Sequence, residues 1–245
     1  MPHVKLNLKI ASLLLLLLVL PAASRGQGKR RAPAGGRAAL VVDERLSALR
    51  DAPSLDANLL RRLGRGSVVT VAGSRTRGGG VTFLKVLVTR RTGGWVQSDA
   101  LARPWVAGED ARLWRLVRGS EDFDRLARAR IFLDAFPHSA LRPAALLDFG
   151  DAAEAAAARL SREAARRLDA REMEAGGAPH ASYFLNYNGL DRLNRLGVKF
   201  IYDDASKQFH YDGAAWREIL ARHPRSPEAA EARRRLENLR PNARR

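Results

Sequence analysis

"SVVTVAGSRTRGGGVTFLKVLVTRRTGGWVQSDAL", residues 67–101, is the stretch on which the fold turns. Its segments "SVVTVAGS" (67–74) and "VTFLKVLV" (81–88) alternate or run with β-branched residues, and "SRTRGGG" between them is a turn-rich connector. "GGWVQSDAL" (93–101) adds a third short strand ended by a polar turn. Upstream, "LSALRDAPSLDANLLRRLGRG" (46–66) begins with the Pro, Asp, Ser and Asn content of a long irregular loop. A strand-length piece at 59–63 and a Gly-x-Gly turn at Gly64 and Gly66 follow. Short strands at this spacing imply a small antiparallel barrel.

Downstream, from Glu109 on, the text turns to Ala, Leu, Arg and Glu. "SEDFDRLARARIFLDAFPHS" places Phe123, Leu126, Ala129, Leu133 and Phe136 on one helical face, with Ser120 as the expected N-cap and Pro137 as the stop. Glu121 with Arg125 and Asp124 with Arg128 read as i to i+4 pairs on the outer face. A second helix is expected from Pro143 toward Met173, broken by "EAGGAPH". Near the C-terminus, Trp216, Ile219, Leu220 and His223 form another stripe ended by Pro224. Ser226 is the expected cap of the next helix, with Pro227 in its first turn. "FLDAFPHS" and "ILARHPRS" share the pattern apolar-Leu-x-x-[Phe/His]-Pro-x-Ser, an internal echo about 87 residues apart. Between the two units, "GVKFIYDDASKQFHYDG" suggests a β-hairpin or an irregular loop at 198–211.

The first 24 residues run basic, apolar, small: Lys5 and Lys9, an 11-residue apolar stretch at 10–20, then "PAAS". That is the order of a secretory signal peptide cleaved near Ser24, and its apolar stretch is short of the ~20 residues a membrane span needs. The expectation is export to the periplasm or the extracellular space, with no transmembrane span in the mature chain. Residues 25–38, "RGQGKRRAPAGGRA", read as a flexible basic tether. Of 43 Lys and Arg residues, cleavage removes two, leaving 41 − 26 = +15. Such a charge attracts anionic partners, although the arginines are interleaved with acids along the helices as in a solvated surface. Export disfavours nucleic acid as the partner.

Four features stand in order along 39–103: an Arg-x-x-Pro-Ser loop at Arg50, Pro53 and Ser54, a Leu-x-x-Gly turn at Leu63 and Gly66, a Val-x-Val strand at Val69 and Val71, and a closing Gly-Trp-Val strand at 94–96. Together they resemble the bacterial SH3-like domain. Ala52 stands where that family usually has glycine, and Phe83-Leu84 where it often has an aromatic pair lining a ligand groove. The echoed Pro-x-Ser junctions resemble tetratricopeptide-like repeats of exported envelope proteins. These resemblances imply a multi-domain chain: a small all-β SH3-like barrel at 39–103, followed by a mainly α-helical, helical-hairpin, tetratricopeptide-like domain at 104–245.

Candidate ligand-binding residues are Arg50, Phe83, Arg90, Arg91 and Trp95. Trp95 has two readings: packing on the barrel, or one wall of a surface groove. No catalytic constellation emerges. Cysteine is absent, the five histidines show no metal-ligand spacing, and Gly78 to Gly80 precede a strand instead of a helix, so they do not form a phosphate loop. No catalytic residue, metal or cofactor is expected. The function expected is that of an exported, non-enzymatic binding or scaffolding protein, its barrel contacting peptidoglycan or an envelope protein and its helices offering a protein-binding surface. Two alternatives stand beside it: a cell-wall hydrolase or accessory subunit with its site in the Tyr183 to Tyr211 region, where His210 near Asp203, Asp204 and Asp212 could form a metal or acid-base cluster, and an anionic-polymer binder acting through its arginines.

Overall fold

The structure is a computed structural model, and it describes residues 36–167, 169–179, 182–183, 190–203 and 206–239. All of them belong to one compact unit, Arg31–Arg245. The segment read as an export signal lies outside the described residues, as does the tether up to residue 35.

Seven strands form one antiparallel sheet: β1 (Arg37–Val41), β2 (Ala48–Arg50), β3 (Leu59–Arg62), β4 (Val68–Thr76), β5 (Thr82–Leu87), β6 (Gly93–Gln97) and β7 (Leu101–Ala102). Their order is β3-β2-β6-β5-β4-β1-β7. Alternation buries Leu49, Val69, Leu84, Val86 and Val96 on the inner face, with Ala39, Val41, Leu63 and Leu101 completing that core. β2 lies inside the stretch expected to be an irregular loop. It is three residues long, too short to show a period, and it runs so close to β6 that a Cβ on Gly94 would sit 2.6 Å from the Arg50 carbonyl oxygen. Glycine at 94 is therefore what lets the two strands approach.

The helices are α1 (Glu109–Arg118), α2 (Asp122–Ala135), α3 (Arg142–Arg167), α4 (Ala170–Gly176), α5 (Asp191–Asn194), α6 (Ala214–Arg222) and α7 (Glu228–Asn238). A two-stranded sheet, β8 (Phe200–Asp203) and β9 (Gln208–Tyr211), stands between α5 and α6. The long helix expected toward Met173 ends at Arg167, and Asp169 starts α4 by accepting from the Arg171 and Glu172 amides. α3 is the hub, with α2, β9, α6 and α7 packed on it. Trp216 is wholly buried, and its indole lies so close to α3 that a Cβ on Gly150 would meet Nε1 at 2.3 Å.

The echoed sequence folds into the same turn twice. After α2, the Phe136 amide donates to Phe132 O (2.9 Å), Ser139 to Phe136 O (3.2 Å) and Arg142 to Ser139 O (3.0 Å). After α6, at positions 87 higher, His223 donates to Ile219 O (2.7 Å), Ser226 to His223 O (3.0 Å) and Ala229 to Ser226 O (3.1 Å). Each proline lacks an amide proton and so ends its helix before this turn.

The expected architecture, a small all-β barrel followed by a helical domain, is corrected. The chain is one α and β mixture. The sheet has an open strand order with β3 and β7 at its edges, and Val42, just after β1, and Ala102 of β7 are packed into the helical core with Leu113, Val117 and Leu126. A buried polar seam binds the parts further. Arg128 of α2, 5% exposed, donates from Nε to Val42 O (3.1 Å) and from Nη1 to Ser120 Oγ (2.6 Å). Its Nη2 stands 3.8 Å from Asp43. Arg65, in the turn before β4, reaches Asp124 of α2 at 2.7 Å. Arg128 therefore does not lie on the outer face, and Ser120 does not cap α2. Glu121 takes the cap position, while the Ser120 hydroxyl donates to Leu116 O and accepts from Arg128.

Candidate functional site

The sheet's other face carries the residues singled out in the sequence. Because Gly94 and Val96 point inward, Trp95 points outward, and its register neighbours across the sheet are Arg50 of β2 and Lys85 of β5. The row continues to Leu59 of β3 on one side and to Gly73 of β4 on the other. Trp95 is half-buried and Lys85 exposed. Arg50 is held in place, its Nη1 donating to Ala57 O at 2.6 Å. Gly73 has no side chain to stand over the row, leaving the strip open beside Lys85.

The electrostatics of this sheet are one-sided. Its seven strands carry Arg37, Arg50, Arg61, Arg62, Arg75 and Lys85 and not one acidic residue. Arg61, Arg62, Arg75 and Lys85 have no carboxylate partner among the described residues. An indole flanked by cations on such a surface suits a ligand that combines negative charge with an apolar or flat group.

The five candidate residues separate into three groups. Arg50 and Trp95 are brought together. Phe83 is buried, 1% exposed, so its ring is not presented to a ligand. Arg90 and Arg91 are exposed in the β5–β6 turn, which Thr89 Oγ1 organises by accepting the Arg91 and Thr92 amides. Sequence reasoning missed Lys85. Its signal was the period-2 spacing of Phe83, Lys85 and Leu87, which puts it on the outward face with Trp95.

Of the acid-base cluster expected around His210, each described member has another partner. Glu154 of α3 clamps the hairpin, its Oε1 lying 2.8 Å from His210 Nδ1 and its Oε2 accepting the Tyr211 amide at 2.6 Å. Asp212, one residue before the Gly213 N-cap of α6, accepts the Ala214 amide, and Asp203 accepts from Ser206 Oγ. Asp204 lies outside the described residues. Burial raises the Tyr211 phenol to about 12, and its oxygen accepts the Ala215 amide. Among the described residues no set of three or more His, Asp and Glu is placed to hold a metal, and no helix is long and apolar enough to cross a membrane.

Comparison with protein-family models, with curated proteins and with solved structures returns no match.

Proposed function

We propose that the protein is an exported, non-catalytic binding protein of the cell envelope, and that its sheet takes peptidoglycan through the strip Arg50–Trp95–Lys85. The observation that carries this reading is Trp95 standing between two cations on a sheet whose strands hold no acidic residue. Stem peptides of the wall combine carboxylates with small apolar side chains, which suit arginine and lysine on the one hand and an indole face on the other. The basic and apolar order of the first 24 residues supports export. The helical hairpins offer a second, protein-facing surface.

Sedimentation with purified wall sacculi tests the reading. The mature chain is expected to be retained. Trp95→Ala should weaken retention roughly tenfold, the scale of one lost aromatic platform, and Arg50→Ala with Lys85→Ala should flatten its salt dependence. No retention of the unsubstituted protein, or retention indifferent to both changes, overturns it.

A further inference from the structure

The two edges of the sheet are unlike. β7 is two residues long, both buried, and the Arg112 guanidinium of α1 donates to the carbonyl of Leu101. β3 is four residues long and exposed throughout, and it is hydrogen-bonded to β2 on one side only. Its outer amides and carbonyls are a template for another strand. Exposed large apolar residues gather here as well. Leu59 and Leu60 are each 50% exposed and Leu55, in the loop before them, is 51% exposed; among the described residues the remaining one is Ile201.

We propose that β3 is a docking edge for an extended acidic segment of a partner protein, which joins the sheet as an added strand. Charge decides the occupant. β3 reads Leu59-Leu60-Arg61-Arg62, with no carboxylate paired to either arginine among the described residues. Two copies paired antiparallel would set Arg61 and Arg62 of each against Leu60 and Leu59 of the other and gather four guanidinium groups along one edge with no counter-charge. An acidic strand meets the opposite condition: its carboxylates neutralise Arg61 and Arg62 while its apolar residues cover Leu59 and Leu60. Paired antiparallel, it reads from its N-terminal end acidic, acidic, apolar, apolar. The backbone supplies affinity and this order supplies specificity. The edge adjoins the Trp95 strip, Leu59 standing beside Arg50, but pairing along the outer backbone of β3 does not depend on what that strip binds.

Fluorescence anisotropy with two labelled synthetic peptides, SSEEVVTS and SSKKVVTS, tests the proposal. The acidic peptide should bind at least tenfold more tightly than the lysine peptide. Arg61→Glu with Arg62→Glu, on an exposed strand, should reverse that preference. Hydrogen exchange should show new amide protection at 59–62 on binding, and Trp95→Ala should leave all of this unchanged, so that failure here and failure of peptidoglycan binding are told apart. Absence of acidic-peptide binding, a preference that survives the charge reversal, or protection appearing elsewhere overturns it. So does a protein that sediments as a dimer and reverts to a monomer on the same double substitution, because a second copy then occupies the edge.

Discussion

Arg128 shows how much one side chain depends on where its helix is packed. Its spacing from Asp124 is that of an exposed pair, and the two are 3.9 Å apart, but its guanidinium is enclosed at the junction of sheet and helices. Burial, with the charge of Arg65 nearby, pulls it down from the usual arginine range, and Asp43 and Asp124 facing it offset part of this. The Arg45 guanidinium, hydrogen-bonded to Asp43, holds that carboxyl below the usual carboxylate range. Arg128→Met should therefore cost about 3 kcal/mol, because it strands the Val42 carbonyl and the Ser120 hydroxyl and removes a counter-charge from a 4% exposed aspartate. Arg130→Ala, which breaks the partly exposed Arg130–Asp134 pair, should cost less than about 1 kcal/mol. Urea midpoints with unchanged slopes check both, and equal losses would refute the assignment of Arg128 as a seam residue.

Among elements, the repeated turn separates what a sequence pattern specifies from what its surroundings supply. Pro137 and Pro224, with serine two residues on, fix the same three backbone bonds in both copies, and that much was legible in the echo. What lies against each turn was not. Ser139 Oγ donates to Asp110 of α1 at 2.7 Å, and this bond leads the effects that keep the Asp110 carboxyl below its usual range. Ser226 Oγ, at the equivalent place, is buried with no hydrogen-bond partner among the described residues, and it does not cap α7 as its position suggested. Ser139→Ala should thus destabilise by about 1–2 kcal/mol, while Ser226→Ala should be neutral or slightly stabilising, since it removes a hydroxyl that is desolvated without compensation. Thermal melts of the two variants settle this, and equal destabilisation would contradict it. β2 was illegible for another reason, being too short for periodicity, and only Gly94 hinted that a strand crosses there. The outward face of β5 and β6 was readable by alternation, and Lys85 belonged to it. Phe83 illustrates the limit of that rule, because a face turned away from the inner core is not thereby open to solvent.

At the scale of the molecule, the division into a strand-rich and a helix-rich half is real in composition but not in packing. Periodicity identifies which face of an element is apolar and is silent about which element covers it, so two compositions read as two domains. Val42 and Ala102 sit in the helical core, Arg128 bonds across to Val42, and Glu109 at the start of α1 holds Arg103 (2.7 Å) and Arg112 (2.9 Å). Glu109 is 4% exposed; burial alone would raise its carboxyl, but its bonds to Arg112 and Arg103 outweigh this and hold it below its usual value. Asp43, Asp124 and Glu109 thus all have depressed folded-state values. Their stabilisation is complete above their unfolded values, about pH 4, and is lost as pH falls through the folded ones. Asp148, raised by burial despite Arg125 beside it, acts oppositely: the strain of its buried charge is relieved as it protonates, offsetting part of the loss. These three lie on the seam, while Asp110, also held low, ties α1 to the turn after α2, so acid should dissolve sheet and helices together. Followed from pH 6 downward, far-ultraviolet circular dichroism, which reports the helices, and the backbone amide NMR signals of β4, β5 and β6, which report the sheet, should fall in one coincident transition. A fragment ending at residue 103 should not fold by itself, for it exposes Val42, Ala102 and the Asp43 carboxylate at once. Two separated transitions, or a folded fragment, would restore the two-domain organisation that the shared core argues against.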